Sequence, residues 1–453
     1  MKRLDIRNRK DGFRESLRRR RSGSLILCLV WTTGILTWTD WVAAAERITL
    51  QHLGYVWHGE PWQEYMEARI AEFERLHPNL HIERVVTDDM VEKFTVMAAG
   101  GIAPDVAEMT LSQGGNLAPT GAFSDLRPFF AKDASIKISD FAKPAIAALS
   151  WSDGSLWGFP LDVYPVASYY NIDLFAQAGL ATPRELGASG WTWAYATAAA
   201  KKLTVDTTGD GTADRWGLDS AWALVSYGIP IRQAGGGLYD RYVDPTRSRL
   251  TDARTVQAFE WIADLYRAGV TAADYEVQFE QGLTGFNLTN GPTWIGTLNQ
   301  VGGFRWDVGP PLMGPSHNGG YVAVNSIQIS AYTEHPELAW EWVKFLAADA
   351  EHIRDFVHRT TRIPAYLPVL SAYPRLIDQA PPGMQHFIDV ILNPNSYHPP
   401  VGPTTRTAGD LIFNAFFDRI IEQNAAVRGT MEALDPQVNA ILTEGRAQGA
   451  GRE

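Results

Sequence analysis

Across Arg47 to His52 the apolar residues Ile48 and Leu50 alternate with polar ones, which predicts a short strand with one buried face. An aromatic and polar loop, Gly54 to Trp62, follows. Beyond it Met66, Ile70 and Phe73 recur at spacings of four and three, so they share one face of a helix that Pro78 and Asn79 end. Leu80 to Val86 predicts a second strand. Asp89 with Glu92 predicts a capped helix running to Gly100 and Gly101, and Val106 sits in a third strand. Strand, helix, strand, helix, strand predicts a parallel sheet covered by helices.

The same grammar returns later. Val166 to Asn171 predicts a strand, followed by a helix carrying Leu174 and Phe175; the helix that Trp191 to Trp193 opens ends at Lys201 to Thr204. Val256, Phe259, Ile262 and Leu265 share a helix face closed by Gly269, and Pro336 opens a helix through Ala339, Val343 and Leu346. In the helical C-terminal third, Ile412, Phe416 and Ile420 form one face, and Leu434, Val438 and Ile441 another. No fixed-period repeat or low-complexity linker interrupts this pattern.

The first residues differ in kind. Basic residues from Lys2 to Arg21 precede an apolar run from Leu25 to Leu36 and the small residues Ala43 to Ala45, the layout of a signal peptide cleaved near Ala45. An uncleaved anchor is the alternative, but Thr32 and Thr33 interrupt a run already short of the roughly 20 residues that a span needs. Cys28, the only cysteine, lies in mid-run after Leu27, which does not suit lipidation. Without the leader the chain has no thiol for disulfides or metal.

Residues 1–45 hold ten basic and four acidic residues, so they contribute +6 to the chain's −11 and the rest carries −17. Such a charge repels nucleic acid and anionic lipid. At 453 residues the chain is too long for one core.

Several motifs in chain order then carry a family resemblance: Phe73-Glu74, His77 to Asn79, the AGGIAPD segment from Ala99 to Asp105, Pro160, the YNIDLF segment from Tyr170 to Phe175, Gly291 with Trp294, the AWEWVKFL segment from Ala339 to Leu346, and Arg362 to Ala365. In these the chain resembles the sugar-type, maltose-binding-protein-like family of extracellular solute-binding proteins that serve ATP-driven (ABC) importers. The resemblance runs from Ile48 to about Leu442. It implies an α/β, two-lobed periplasmic-binding-protein-like fold, each lobe a sheet flanked by helices, joined by crossover hinge segments near Pro160–Val166, Gly291–Gly296 and Ala347–Ile353. The expected organisation is a leader at 1–45, one lobe from 46–162 plus 295–348, a second from 163–294 plus 349–445, and a flexible tail at 446–453.

A sugar has an apolar ring face edged by hydroxyls, so its site needs flat aromatic surfaces beside groups that hydrogen-bond. Trp57, His58, Glu60 and Trp62 in the first loop, Gln113, and Asp162 and Tyr164 at the first crossing are candidates on that ground. Trp222 and Trp294 join them; the resemblance adds Tyr227 as a further ring, Tyr321 and Arg362, with Gly236 as a point of close backbone approach. The departures from the maltose-type pattern are Tyr164 where the family has a ligand carboxylate, Met109 where it has an aromatic residue, and Ser112 at an acidic position. These argue against maltodextrin itself.

Asp206, Asp210 and Asp214 resemble a calcium turn but lack the closing Glu of an EF-hand, and a solvated hairpin suits them better. No HExxH pair, nucleophile elbow or P-loop is present, and no cofactor is expected. The expected role is capture of a carbohydrate or polyol by a monomer in the periplasm or outside the cell, for delivery to the permease subunits of an importer. A secreted carbohydrate-active enzyme and a chemoreceptor-linked sugar sensor are the alternatives.

Overall fold

The computed structural model describes residues 47–219, 221–271 and 279–450; the leader and the last three residues lie outside them. Ten strands form two sheets. They are β1 (Ile48–Tyr55), β2 (Leu80–Thr87), β3 (Val106–Thr110), β4 (Phe159–Pro165), β5 (Ala167–Asn171), β6 (Trp216–Leu218), β7 (Thr284–Asn290), β8 (Trp306–Gly309), β9 (Val322–Ile329) and β10 (Ile363–Pro364). The first sheet has the order β10-β4-β9-β3-β1-β2 and the second β6-β7-β5-β8. Both are mixed: β1 runs parallel to β2 and β3, whereas β9 lies antiparallel between β3 and β4.

Position in the sheet explains the strand sequences. β3 is enclosed between β1 and β9, so Val106, Ala107, Glu108 and Met109 are all buried, and a carboxylate occupies an otherwise apolar run. The edge strand β2 keeps only Leu80 and Ile82 buried. The helix Glu60–Leu76 begins inside the segment read as a loop, with Pro61 in its first turn, and buries Trp62, Tyr65, Met66 and Phe73 along one face. Each such side chain contributes roughly 1.5–3 kcal/mol by leaving water. Leu434, Val438 and Leu442 line the buried face of the helix Val427–Ala450, which runs on into the expected tail. No helix among the described residues is long and apolar enough to cross a membrane.

Each sheet has its own core, but the cores interlock. Tyr169 on β5 and Val308 on β8 pack with the first core, together with Phe387 and Ile391 of the helix Gln385–Leu392. The chain leaves the first sheet between β4 and β5 and returns between β8 and β9. After β10 it passes through residues 393–401 to helices of the second core. Gly291–Gly296 therefore lies between two strands of the second sheet, and Ala347–Ile353 between two helices after β9. Main-chain bonds tie the passages together: Val166 N–H donates to Tyr321 O at 3.0 Å, Val322 N–H to Tyr397 O at 2.9 Å, and Tyr397 N–H to Gly320 O at 3.0 Å.

Asp307 on β8 secures the connecting helix by accepting from the Gly383 amide at 2.7 Å. A Cβ on Gly383 would lie 1.6 Å from the Val308 carbonyl oxygen, so only glycine permits this approach. Gly383→Ala should therefore cost at least about 1–3 kcal/mol, the usual range for overpacking. A lower urea midpoint with an unchanged m-value is the expected result.

Candidate functional site

A pocket of about 320 Å³ opens beside the start of the helix Leu111–Leu117, which follows β3. Ser112 contributes one wall; Trp222, Tyr239, Asp410 and Phe413 supply much of the rest. Trp222 and Phe413 meet edge to face with centroids 6.2 Å apart. Tyr239 is 2% exposed and its hydroxyl has no hydrogen-bond partner among the described residues, so a donor and acceptor stand unused in the pocket wall. Leaving such a group unpaired costs about 1–3 kcal/mol. Burial raises the Tyr239 pKa, so the group stays protonated. Arg406 and Asp410, 4.0 Å apart on one helix turn, add charge at the rim. The arrangement suits a guest with apolar faces and polar edges.

A second polar assembly lies behind the turn after β1. Glu108 on β3 is fully buried. One carboxylate oxygen accepts from His52 Nε2 and Arg84 Nη2, both at 2.9 Å. The other accepts from Trp62 Nε1 at 2.8 Å and the Tyr55 amide at 3.0 Å, with His58 Nδ1 at 3.2 Å. Burial opposes this charge, but Arg84 and the two imidazoles outweigh it and hold the carboxyl well below its usual range. Trp342 Nε1 donates to His52 Nδ1 at 2.8 Å, so His52 carries its proton on Nε2; burial lowers its pKa and keeps it neutral.

This assembly reaches the first passage. Arg362 donates through Nη2 to the His58 carbonyl at 3.0 Å and through Nη1 to Asp162 on β4 at 3.3 Å. Asp162, 2% exposed, also accepts from Asn325 at 2.9 Å. On the turn itself Trp57 is 72% exposed. The structure thus brings Trp57, His58, Asp162 and Arg362 into one neighbourhood, with Glu60 exposed at the start of the adjoining helix.

Tyrosines gather at the passages. Tyr164 Oη accepts from the Gly291 amide at 2.8 Å, and Tyr169 donates its hydroxyl to the Gly291 carbonyl at 2.7 Å. Tyr227 stacks on Tyr321, with centroids 4.4 Å apart.

Four candidates have other tasks. Trp62 is wholly buried because the helix starts early; it stacks on Tyr65 and presents no surface to a ligand. Gln113 completes a capping box with Thr110. A Cβ on Gly236 would lie 2.7 Å from Thr255 Oγ1, so this glycine serves helix packing. Trp294 packs edge to face on Tyr169 and donates to Glu280, away from the pocket.

The sequence reading missed Tyr239, Arg406, Asp410 and Phe413. Arg406 and Asp410 are four apart just before Ile412, a polar stripe beside an apolar one, and that was the available signal. Glu108 was legible as an acid inside a predicted strand.

In the Asp206 loop, Asp206 accepts from the amides of Gly209 at 2.6 Å and Gly211 at 2.7 Å, and Asp214 from that of Thr207 at 2.8 Å. No group of three or more His, Cys, Asp or Glu among the described residues is placed to hold a metal ion.

Residues 68–374 match the model of the bacterial extracellular solute-binding protein family. The chain belongs to that family. This solute-binding protein is 24% identical over 330 residues to the maltotriose-binding protein of Pyrococcus abyssi, a match covering 70% of the chain and 66% of that relative's length. Among solved structures, its fold is similar to the cyclic alpha-maltosyl-1,6-maltose binding protein of Arthrobacter globiformis. There the TM-score is 0.75 at 18% identity, covering 88% of this chain and 100% of that one. MalE of Xanthomonas citri gives 0.74 at 18% identity, over 89% and 100%. Lmo0181 of Listeria monocytogenes, solved in complex with cycloalternan, gives 0.72 at 21%, over 88% and 99%.

His398, next to the pocket residue Pro399, donates through Nδ1 to the Pro399 carbonyl at 2.7 Å, and burial pushes its pKa down to about 4. As pH falls, the unfolded chain binds this proton first. The contribution to stability is therefore complete above the unfolded value of about 6.5 and is lost as pH approaches about 4. That shift is worth about 3 kcal/mol. Unfolding free energies from urea titrations should decline from pH 7 to pH 4, and His398→Gln should flatten the decline.

Proposed function

We propose that this chain is the sugar-binding component of an ABC importer: it holds a carbohydrate or polyol one to one and hands it to a membrane permease. The observation that carries the reading is the pocket whose lining sets Trp222 and Phe413 beside Arg406 and Asp410, with Ser112 contributed from the helix Leu111–Leu117. An indole offers a face to a sugar ring, while a carboxylate accepts hydroxyl hydrogen bonds. The relative named for maltotriose, and the solved structures named for sugars, support the same class. The protein works outside the cytoplasmic membrane after its leader is removed near Ala45.

The proposed lobes follow the two sheets rather than the boundaries read from sequence, and solute gathered by one lobe and touched by the other favours closure. Trp57, Asp162 and Arg362 belong to the first lobe's share of the site, and Trp222, Tyr239 and Asp410 to the second's. With no step that breaks a bond, bound sugar leaves as it arrived.

Titration calorimetry of the purified chain without its leader, with maltotriose and mannobiose as probes, tests this. Saturable binding without new products is expected. Trp222→Ala should weaken it by about two- to tenfold, from roughly 0.5–1.5 kcal/mol of lost stacking beyond buried area. Unchanged affinity in both Trp222→Ala and Asp410→Ala would exclude the pocket, and release of shorter saccharides would replace the carrier with an enzyme.

A further inference from the structure

Glu108 lies inside the first sheet, where no solute reaches it. Its bonds nevertheless converge on one exposed feature. The short turn Val56–His58 follows Tyr55, whose amide donates to Glu108, and ends at His58, whose ring is 3.2 Å from the same oxygen. Gly59, at φ 85°, then turns the chain into the helix whose Trp62 is a third donor to that carboxylate. Trp57 is thus fixed from both sides by its neighbours while 72% of its own surface faces solvent. The carbonyl of His58 is latched by Arg362 to Asp162, five residues before the chain enters the second sheet at Ala167.

We propose that Glu108 is a positioning residue for solute binding, holding the Tyr55–His58 turn so that Trp57 is presented ready for the solute and β4 is tied to the same turn. This rests on the reading of Trp57 as a solute contact. The carboxylate satisfies the buried donors around it and also fixes where they stand. Apolar side chains of similar volume commonly replace buried ion pairs at no cost in stability, whereas directed bonds specify one arrangement of the groups around them. Four donors from β1, β2 and the first helix meet at this carboxylate, and an apolar residue would leave the Tyr55 amide and the Trp62 indole without acceptors.

The test uses the chain without its leader, labelled with 5-fluorotryptophan, the Trp57 resonance being assigned through Trp57→Phe. Glu108→Gln keeps the side-chain shape, and Arg84 retains Gln63 Oε1 as an acceptor at 2.6 Å, so the variant should fold. The expected result is a shifted or broadened Trp57 resonance with that of Trp222 unmoved, and affinity for maltotriose reduced about tenfold, the factor that 1.4 kcal/mol gives. A folded Glu108→Gln protein with an unaltered Trp57 resonance overturns the proposal. So does an altered resonance with unaltered affinity when Trp57→Ala does weaken binding. If Trp57→Ala itself binds normally, the turn lies outside the solute site and the underlying reading fails, a result separate from the fluorine spectrum. Should Glu108→Gln not fold, Arg362→Gln cuts the latch from His58 to Asp162, and an unchanged Trp57 resonance in the solute-free protein overturns the proposal.

Discussion

Two sheets made from one interrupted chain depend on the places where that chain passes between them. Here Val166, Tyr321 and Tyr397 join the three passages by main-chain hydrogen bonds of 2.9–3.0 Å. Such bonds resist sliding of one passage against another, while the few residues involved leave rotation about them comparatively free. Tyr227 stacked on Tyr321, and the Tyr397 hydroxyl donating to the Tyr227 carbonyl at 2.7 Å, fasten a helix of the second core to the same point. Everything proposed for the solute site presupposes this shared junction, because it sets how the walls on either side can approach.

The two sides are built differently. Around β1, β3 and β4 the polar groups are paired in advance: Glu108 with its four donors, Asp162 with Arg362 and Asn325. Around Trp222 and Phe413 the wall mixes aromatic and aliphatic side chains with Arg406 and Asp410, and one buried hydroxyl is left over. A guest would meet an ordered polar framework on one side and a largely apolar wall with two partly exposed rings on the other. Preorganised polar groups give orientation at little entropic cost, and flat rings tolerate small displacements of what rests on them.

The alternation at Ile48 and Leu50 and the helical spacing of Val256 to Leu265 were legible because each follows from one local period. The short strands β6, β8 and β10 were not, since two to four residues carry no period and exist only through their neighbours. For the same reason strand order was not legible: it is a property of pairing across the chain. Trp57 and Trp62 show the limit at the site. They are five residues apart and were read alike, yet one is 72% exposed and the other wholly buried, because a helix beginning at Glu60 turns the second inward. The pocket residue Tyr239 had no local mark at all, its hydroxyl being notable only for the partner it lacks.

The hairpin at Asp206 closes on its own amides, with Gly209, Gly211 and Thr207 filling the carboxylate oxygens. A turn whose carboxylates are met by its own amide dipoles is closed from within. Its shape should stay the same whether the surrounding medium is rich or poor in divalent cations.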